Sequence, residues 1–513
     1  MTKLSREFEK SRLGKARWIH LGVLALAAVL VQVALHHTYL PWWCGDSEGY
    51  SSQASILYGS DFTKDPGERT PGYPLFLLGC EMLAPCRVSY LLMPQSAQFI
   101  TWIQSILSVA SVALLYLSME RLQIRAPVRF ALSLVFALLV GVQEFAMELM
   151  PENVCLFAVV LATYLVTLWM ERWRRGLPAR GLALLSGLAF GAAIMVRPNM
   201  MPLWMAVVAA IPALMLWRWV RRQPFPARGA IAQITRPLFA SGALVVVVWL
   251  FIHYENTGFV TLSGIGGLAR TSAAYNLFDH VHPKDKVLGE IMVKYYHENN
   301  WDGHTDRQYG WYALGEIQGR SDEMPIANMA GRAEATDGAV FHYLEVVSNG
   351  LLWEHPGVWA ENSLSDLEST LDFHFTQASP GVSNFPVTFA KKSLTHEPVI
   401  AGVRGWEVLR WIAGKESALI LLLYLLTFVA LGISAVKTLA APDLRSGMLP
   451  ITVFALSLGT LLCMVAPSII ATYDNRYSVP LVPLFALCSA YVVELGLKFF
   501  SLDVSSSSKF PAV

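Results

Sequence analysis

The chain has 513 residues, 54% of them hydrophobic and only 15% charged, and its formal net charge is +1. Soluble globular proteins carry about 25% charged residues, so this composition argues against a water-soluble enzyme. The apolar content and the six cysteines also exclude a disordered chain and a disulfide scaffold. The near-zero charge gives no reason to expect nucleic acid as a partner. We therefore expect an all-α polytopic membrane protein with room for one extramembrane domain.

Apolar runs of membrane-spanning length occupy both ends of the chain. A helix needs roughly 20 mostly apolar residues to cross a bilayer. The sequence predicts about ten transmembrane helices on this basis, at residues 18–38, 98–119, 130–142, 153–170, 181–196, 198–217, 237–254, 417–436, 448–470 and 479–497.

The distribution of basic residues predicts the orientation of these helices. With a cytoplasmic N-terminus, the inside segments hold 22 Lys and Arg and the short outside segments hold 5. Basic residues concentrate in cytoplasmic loops, whereas long loops translocate largely regardless of charge. We expect a multi-pass protein of the cell inner (plasma) membrane, with an uncleaved first helix and large extracytoplasmic loops.

The spans divide the chain into four parts. We expect residues 1–254 to form an N-terminal transmembrane module that carries most of the candidate site residues described below, with a first extracytoplasmic loop at 39–97, and residues 255–415 are long enough for an extracytoplasmic domain. Residues 416–500 form C-terminal transmembrane helices, and the Ser-rich residues 501–513 form a disordered tail.

Two side-chain questions in these outside segments stay open. The first loop contains three cysteines, among which a disulfide is permitted outside the cytoplasm: Cys44, Cys80 and Cys86. The extracytoplasmic domain contains tryptophans that can stack on sugars or serve as core and interface anchors: Trp301, Trp311, Trp353 and Trp359.

Asp46 and Glu48 stand directly after the first span, behind an aromatic pair typical of a membrane interface. A carboxylate that is partly desolvated at the membrane boundary becomes more basic, which suits it to take a proton from a hydroxyl. Ordinary solvated loop acids are the alternative.

The same loop places Arg69 before a turn rich in Pro and Gly, at headgroup level. A guanidinium there can hold a phosphate through two parallel hydrogen bonds, or it can snorkel or pair with Glu68.

Three more charged residues are predicted at the same membrane face. Glu152 begins a span, where the helix dipole alone also favours an acid. Arg197 lies in a minimal link between two spans, where a guanidinium is costly unless it faces a polar cavity, a phosphate or the outer headgroups. Arg476 precedes the last span and can also pair with Asp474. Acids that activate a hydroxyl and cations that stabilise a departing phosphate are the parts needed for group transfer.

The motifs Asp46-x-x-x-Tyr50, Arg69-Thr70-Pro71-Gly72-Tyr73-Pro74, Arg197-Pro198 and Arg476-Tyr477-x-x-Pro480 together resemble the GT-C superfamily of membrane glycosyltransferases. The resemblance is to the branch of aminoarabinose transferases and protein O-mannosyltransferases (glycosyltransferase family 39-like), and it is clearest over 18–220 and 448–497. Two departures concern the first loop. Gly49 stands where aminoarabinose transferases carry a basic residue, and Ser47 separates two acids that are adjacent in protein mannosyltransferases.

The resemblance implies transfer of a sugar from a polyprenyl-phosphate-linked donor to an acceptor hydroxyl at the extracytoplasmic face, by an inverting single displacement. Within the lipid bilayer, the partners are this donor and a glycan, lipid or protein acceptor. No cofactor is assured, and a divalent metal ion is left open. The implied catalytic residues are Asp46, Glu152 and Glu48, and the implied donor-phosphate residues are Arg69, Arg197, Arg476, Tyr50 and Tyr73.

Other functions remain open from the sequence. A secondary transporter or flippase of a lipid-linked or polar substrate is the alternative from a different class. A scaffold membrane protein is another alternative. Within the enzymes, a polymerase, ligase or oligosaccharyltransferase that moves a larger glycan from a polyprenyl diphosphate fits the same residues.

Overall fold

The computed structural model describes residues 3–38, 41, 45–58, 69–83, 94–222, 228–263, 266–298, 300–301, 304–305, 310–328, 337–369, 403–470 and 475–507. These residues are organised almost entirely as helices. The helices of the first half are α1 Lys3–Thr38, α2 Gly45–Tyr58, α3 Gly72–Leu83, α4 Pro94–Arg121, α5 Ala126–Leu138, α6 Val140–Gln143, α7 Glu152–Arg174, α8 Arg180–Val196, α9 Met201–Val220, α10 Arg228–Ala230 and α11 Arg236–Thr257.

The second half adds a group of shorter helices and then three long ones. They are α12 Gly266–Ala273, α13 Lys286–Glu298, α14 Gly310–Gly319, α15 Asp337–Glu354, α16 Pro356–Ser369, α17 Val403–Ala440, α18 Leu444–Ile470 and α19 Val482–Ser507. Two-residue strands, β1 Asn300–Trp301 and β2 His304–Thr305, pair antiparallel with Trp301 opposite His304. Short 3-10 turns connect the helices at Glu144–Ala146, Pro198–Met200, Phe278–His280, Pro283–Asp285, Ser321–Glu323, Pro325–Asn328 and Asn475–Leu481, and a π-helical turn, Ile231–Thr235, leads into α11.

Every predicted apolar run falls on a helix, so the all-α polytopic fold class is confirmed. Among the described residues, eight helices are long and apolar enough to cross a membrane, or nine if a bent pair counts as one span. The predicted span at 130–142 is this bent pair: α5 and α6 meet at an angle of 62°. The predicted span at 181–196 is α8, an apolar helix of 17 residues that measures about 26 Å.

The described residues form two separate hydrophobic cores, and the assignment of the second core to an extramembrane domain stays a prediction. The first lies among the long helices of the two ends of the chain, and the second is built from α12–α16. The domain rests on one end of α18, where the Ile469 carbonyl accepts hydrogen bonds from the Trp359 indole at 2.9 Å and from the Arg270 guanidinium at 3.4 Å. This end of α18 is the predicted extracytoplasmic end.

Two predicted boundaries need correction. α19 continues to Ser507, so residues 501–507 are helical, although the Ser-rich composition predicted a disordered tail. No Gly or Pro interrupts the chain between Gly496 and Ser507, and extending an existing helix avoids the cost of nucleation. α17 begins at Val403, thirteen residues before the predicted start of the C-terminal spans at 416.

Ion pairs tie the helices together at the opposite end of the bundle. Glu120 of α4 contacts Arg17 at 3.3 Å and Arg129 at 3.2 Å, and the neighbouring Arg121 contacts Glu171 of α7 at 2.6 Å. This end carries the segments in which the sequence concentrates Lys and Arg, so it is the predicted cytoplasmic end.

Candidate functional site

A carboxylate and a guanidinium from the two sides of the first loop meet at the predicted outer end. Arg69 Nη2 donates to Asp46 Oδ1 at 2.8 Å, and the side chains of Arg69 and Asp46 are 13% and 27% exposed. Asp46 lies in the first turn of α2, which also holds the backbone of Arg69, since Gln53 Nε2 donates to the Arg69 carbonyl oxygen at 2.8 Å. The structure therefore brings together the predicted base and the predicted phosphate-binding residue, 23 positions apart.

Two buried tyrosine rings pack beside this ion pair. The Arg69 guanidinium carbon lies 5.0 Å from the centre of the Tyr50 ring, a cation–π contact. The Tyr50 ring meets the Tyr73 ring edge-on at 5.3 Å, and both tyrosines are buried. A Cβ atom on Gly49 would lie 3.3 Å from Arg69 Nε. The guanidinium of Arg69 therefore lies directly against Gly49, and a larger side chain at position 49 would have to displace it.

A second ion pair lies where α7 begins and α8 ends. Arg197 Nη2 donates to Glu152 Oε1, and Glu152 is fully buried. Arg197 has an extended backbone, φ −144° and ψ 107°, as expected for a residue before proline. Its guanidinium carbon lies 5.0 Å from the centre of the Tyr477 ring. Arg197 is therefore neutralised by Glu152 inside the protein, whereas the sequence alone leaves a polar cavity, a phosphate or the outer headgroups as its surroundings.

Backbone contacts place the two ion pairs beside each other. A Cβ atom on Gly72 would lie 2.5 Å from the Met195 carbonyl carbon and the Val196 nitrogen, so α3 starts against the last turn of α8, next to Arg197. Ser47 Oγ, next to Asp46, donates to the Leu149 carbonyl oxygen at 2.9 Å, close in sequence to Glu152. Both pairs thus belong to one site at one end of the bundle.

Gln104 of α4 joins the two parts of the site, and the sequence reasoning missed it. It is fully buried and accepts a hydrogen bond from Tyr73 Oη at 3.0 Å. Its Nε2 donates to the carbonyl oxygens of Ala146 and Glu148 at 3.0 and 2.7 Å. The signal was present as a buried polar stripe at helical spacing through the apolar α4: Thr101, Gln104, Ser108 and Ser111.

A second missed residue, Glu416 of α17, holds the break between α5 and α6. Its two carboxylate oxygens accept the backbone N–H groups of Val140 and Gly141 at 2.6 and 2.8 Å. Leu139 has φ −71° and ψ 87°, outside the helical region, so these N–H groups need a partner from another element. The C-terminal helices therefore fix the segment that leads to Glu148 and Glu152.

The remaining predicted residues are only partly described. Glu48 lies on α2 and Arg476 on the turn Asn475–Leu481, but their side chains lie outside the described residues. Tyr477, next to Arg476, places that turn against Arg197. Glu68, Asp474, Cys44 and Cys86 also lie outside the described part of the chain, whereas Cys80 is buried on α3. Among the described residues, no group of three or more His, Cys, Asp or Glu side chains could hold a metal ion.

The chemistry of the site follows from its two carboxylate–guanidinium pairs. A guanidinium that donates hydrogen bonds to a phosphate oxygen exchanges one anionic partner for another and stays neutralised. The carboxylate that it leaves can then accept a proton. The Asp46–Arg69 pair is suited to this exchange because both side chains are partly exposed, whereas Glu152 is 0% exposed.

No family model and no curated protein matches the sequence. The structure is similar to solved structures of the oligosaccharyltransferase of Archaeoglobus fulgidus. The complex of this protein, AglB, with an inhibitory peptide and dolichol-phosphate gives a TM-score of 0.46 and 13% identity, over 97% of this chain and 52% of that one. The form tethered to an acceptor peptide gives 0.45 and 13%, over 95% and 50%, and the apo form gives 0.44 and 14%, over 96% and 52%. The chain thus spans about half the length of these proteins.

Proposed function

We propose that the chain is an integral membrane glycosyltransferase, which moves a sugar from a polyprenyl-phosphate donor to an acceptor hydroxyl at the extracytoplasmic face. The observation that carries this proposal is the partly exposed pair of Asp46 and Arg69 at the end of a membrane bundle. One member can bind a lipid-borne phosphate and the other can take a proton. In this proposal the site and the phosphate of the lipid substrate lie at the same depth relative to the membrane, at the boundary of the bilayer.

The proposed reaction is a single displacement. The donor phosphate takes the place of Asp46 as the partner of Arg69. Asp46 then accepts the proton of the acceptor hydroxyl while the oxygen of that hydroxyl forms a bond to the anomeric carbon. The bond from that carbon to the phosphate oxygen breaks on the opposite face, and polyprenyl phosphate leaves with the electron pair, stabilised by Arg69. The configuration at the anomeric carbon inverts.

The buried pair of Glu152 and Arg197 has a supporting role in this proposal. Arg197 places positive charge next to the start of α3, and Glu152 neutralises this charge. The pair thereby stabilises the junction of α7 and α8, against which the start of α3, with Tyr73, is packed. Catalytic use of Glu152 would require separation of a buried ion pair, which is costly. We therefore assign the proton transfer to Asp46.

Binding of the leaving group tests the role of Arg69 without knowledge of the sugar. The probe is undecaprenyl phosphate, added to the purified full chain in detergent, with undecaprenol as the uncharged reference. Arg69→Ala should weaken phosphate binding by roughly 10- to 100-fold, since a hydrogen bond to a charged group contributes about 1.5–3 kcal/mol. Arg320→Ala, which removes an exposed pair with Glu323 in the extramembrane domain, is the matched control. An unchanged affinity of Arg69→Ala would remove Arg69 from the donor site.

The chemical step is tested in cells. Mass spectrometry of the envelope glycans and lipids of a deletion strain, beside strains that express the wild-type chain or Asp46→Asn, should reveal a sugar that only the wild type adds. Asp46→Asn should remain folded and bind undecaprenyl phosphate. Full restoration of the modification by Asp46→Asn would exclude Asp46 as the base.

One observation favours the rival function of a secondary transporter. The bent pair of α5 and α6 interrupts a span, and interrupted spans often line the substrate sites of transporters. The polar contacts of the break are made to protein groups, among them Glu416, which favours a structural role for it. Uptake of a lipid-linked substrate into vesicles, without transfer of a sugar, would support the transporter instead.

A further inference from the structure

An exposed indole lies where the extramembrane domain meets the bundle. Trp353, near the end of α15, is 73% exposed, and its ring meets the Trp359 ring of α16 edge-on at 5.6 Å. Val346 is 42% exposed and lies two helical turns before Trp353, on the same face of α15. Between them this face carries Asn349 and Gly350. The domain thus presents an uncharged stripe that ends in an exposed tryptophan.

The height of this stripe is fixed by a span of the bundle. Trp359 Nε1 donates at 2.9 Å to the carbonyl oxygen of Ile469, and Ile469 is the last residue of the apolar run Leu444–Ile469 on α18. The last carbonyls of a helix have no partner within it, so the Trp359 indole satisfies a group at the end of the span. Ile469 itself is 42% exposed. Trp353 contacts Trp359, and Trp359 contacts the end of the span, so the Trp353 ring lies close to the level at which this membrane span ends.

We propose that Trp353 and the stripe that begins at Val346 rest in the headgroup region of the outer leaflet and anchor the extramembrane domain to the bilayer. Tryptophan concentrates at membrane–water interfaces because its ring is apolar and its N–H is polar. Trp359 links this stripe to α18, because its ring contacts Trp353 and its indole N–H binds the Ile469 carbonyl oxygen, and Leu462 and Ile469 of α18 are both 42% exposed. The occupant of the surface is thus lipid. The anchor holds the domain at a set distance from the site, whatever the site catalyses.

Spin labelling of the full chain in phosphatidylcholine–phosphatidylglycerol vesicles tests the anchor. A nitroxide is attached to Trp353→Cys, and its collisions with oxygen, which partitions into lipid, are compared with its collisions with a water-soluble nickel chelate. Asp322→Cys, at an exposed charged position of the same domain, is the matched control, and labelled wild-type protein gives the background of the six native cysteines. Because Trp353 is exposed, its replacement should leave the fold intact.

Oxygen collisions should dominate at position 353 and chelate collisions at position 322. If the chelate reaches both labels equally, Trp353 faces water and the anchor is wrong; the indole would then be available to stack on a sugar. Dipolar broadening between labels at 353 would show a contact between two copies of the chain, and would also overturn the proposal. Neither outcome affects the binding test of Arg69, so the two proposals fail separately.

Discussion

Breaking the buried ion pair of Glu152 and Arg197 should cost the protein much of its stability. The Glu152 side chain is 0% exposed and that of Arg197 is 11% exposed. Removal of one partner of such a pair leaves an uncompensated buried charge and typically costs about 3–5 kcal/mol. Arg197 also contacts the Tyr477 ring, which offsets part of this loss. We therefore expect Glu152→Leu to lower the free energy of unfolding by about 3 kcal/mol.

The double variant Glu152→Leu/Arg197→Met separates this electrostatic cost from simple loss of packing. When both members of a buried pair are replaced by apolar side chains of similar size, the effect on stability is often neutral or favourable. The double variant should therefore be more stable than Glu152→Leu. The measurement is equilibrium unfolding of the purified protein in mixed micelles, followed by circular dichroism.

A matched pair on the surface gives the control. Replacing Arg320, which pairs with Glu323 in the exposed part of the extramembrane domain, should leave the unfolding transition unchanged. The reasoning is refuted if Glu152→Leu loses less than about 1 kcal/mol, the range of solvent-exposed pairs, or if the double variant is as unstable as the sum of the single changes. Arg197 would then be accessible to solvent, and a direct role in phosphate binding would regain support.

Two further substitutions test how the site is held together. Gln104→Leu removes three buried hydrogen bonds and should lower the kcat of sugar transfer by up to roughly 100-fold, because a displacement of about 1 Å can cost that much, while the KM for the donor changes little. Ser118→Ala, at the other end of α4, is the control. A normal kcat in Gln104→Leu would exclude a positioning role for Gln104. Gly72→Ala places a methyl group 2.5 Å from the backbone at Met195 and should destabilise the protein by about 1–3 kcal/mol. Gly79→Ala on the same helix is the control and should be tolerated, because nothing lies within 4 Å of its Cβ position. Equal unfolding midpoints for the two variants would show that α3 does not start against α8.

The membrane fold could be predicted from the sequence because its signal is local. Each apolar run must bury its own backbone hydrogen bonds in a helix when it crosses a bilayer, so the position of a span follows from composition alone. The span at 130–142 is the exception. Its residues give the correct hydrophobicity, but the break at Leu139 is stabilised by Glu416, a residue 277 positions away. A pattern read along the chain cannot show a hydrogen bond of that range.

The site illustrates the same division at the level of single residues. Charges at the ends of apolar runs identified Asp46, Arg69, Glu152 and Arg197 from the sequence, because a charge there needs a polar partner or a function. The pairing of Asp46 with Arg69 and of Glu152 with Arg197 was decided by how the helices pack. The spacing of polar residues along α4 singles out Gln104 in the sequence, but its hydrogen bonds to Tyr73 and to the segment before Glu152 are set by tertiary packing. Hydrophobicity acts on each segment separately, whereas ion pairs and hydrogen bonds depend on distances of a few ångströms between segments, and only the tertiary structure sets those distances.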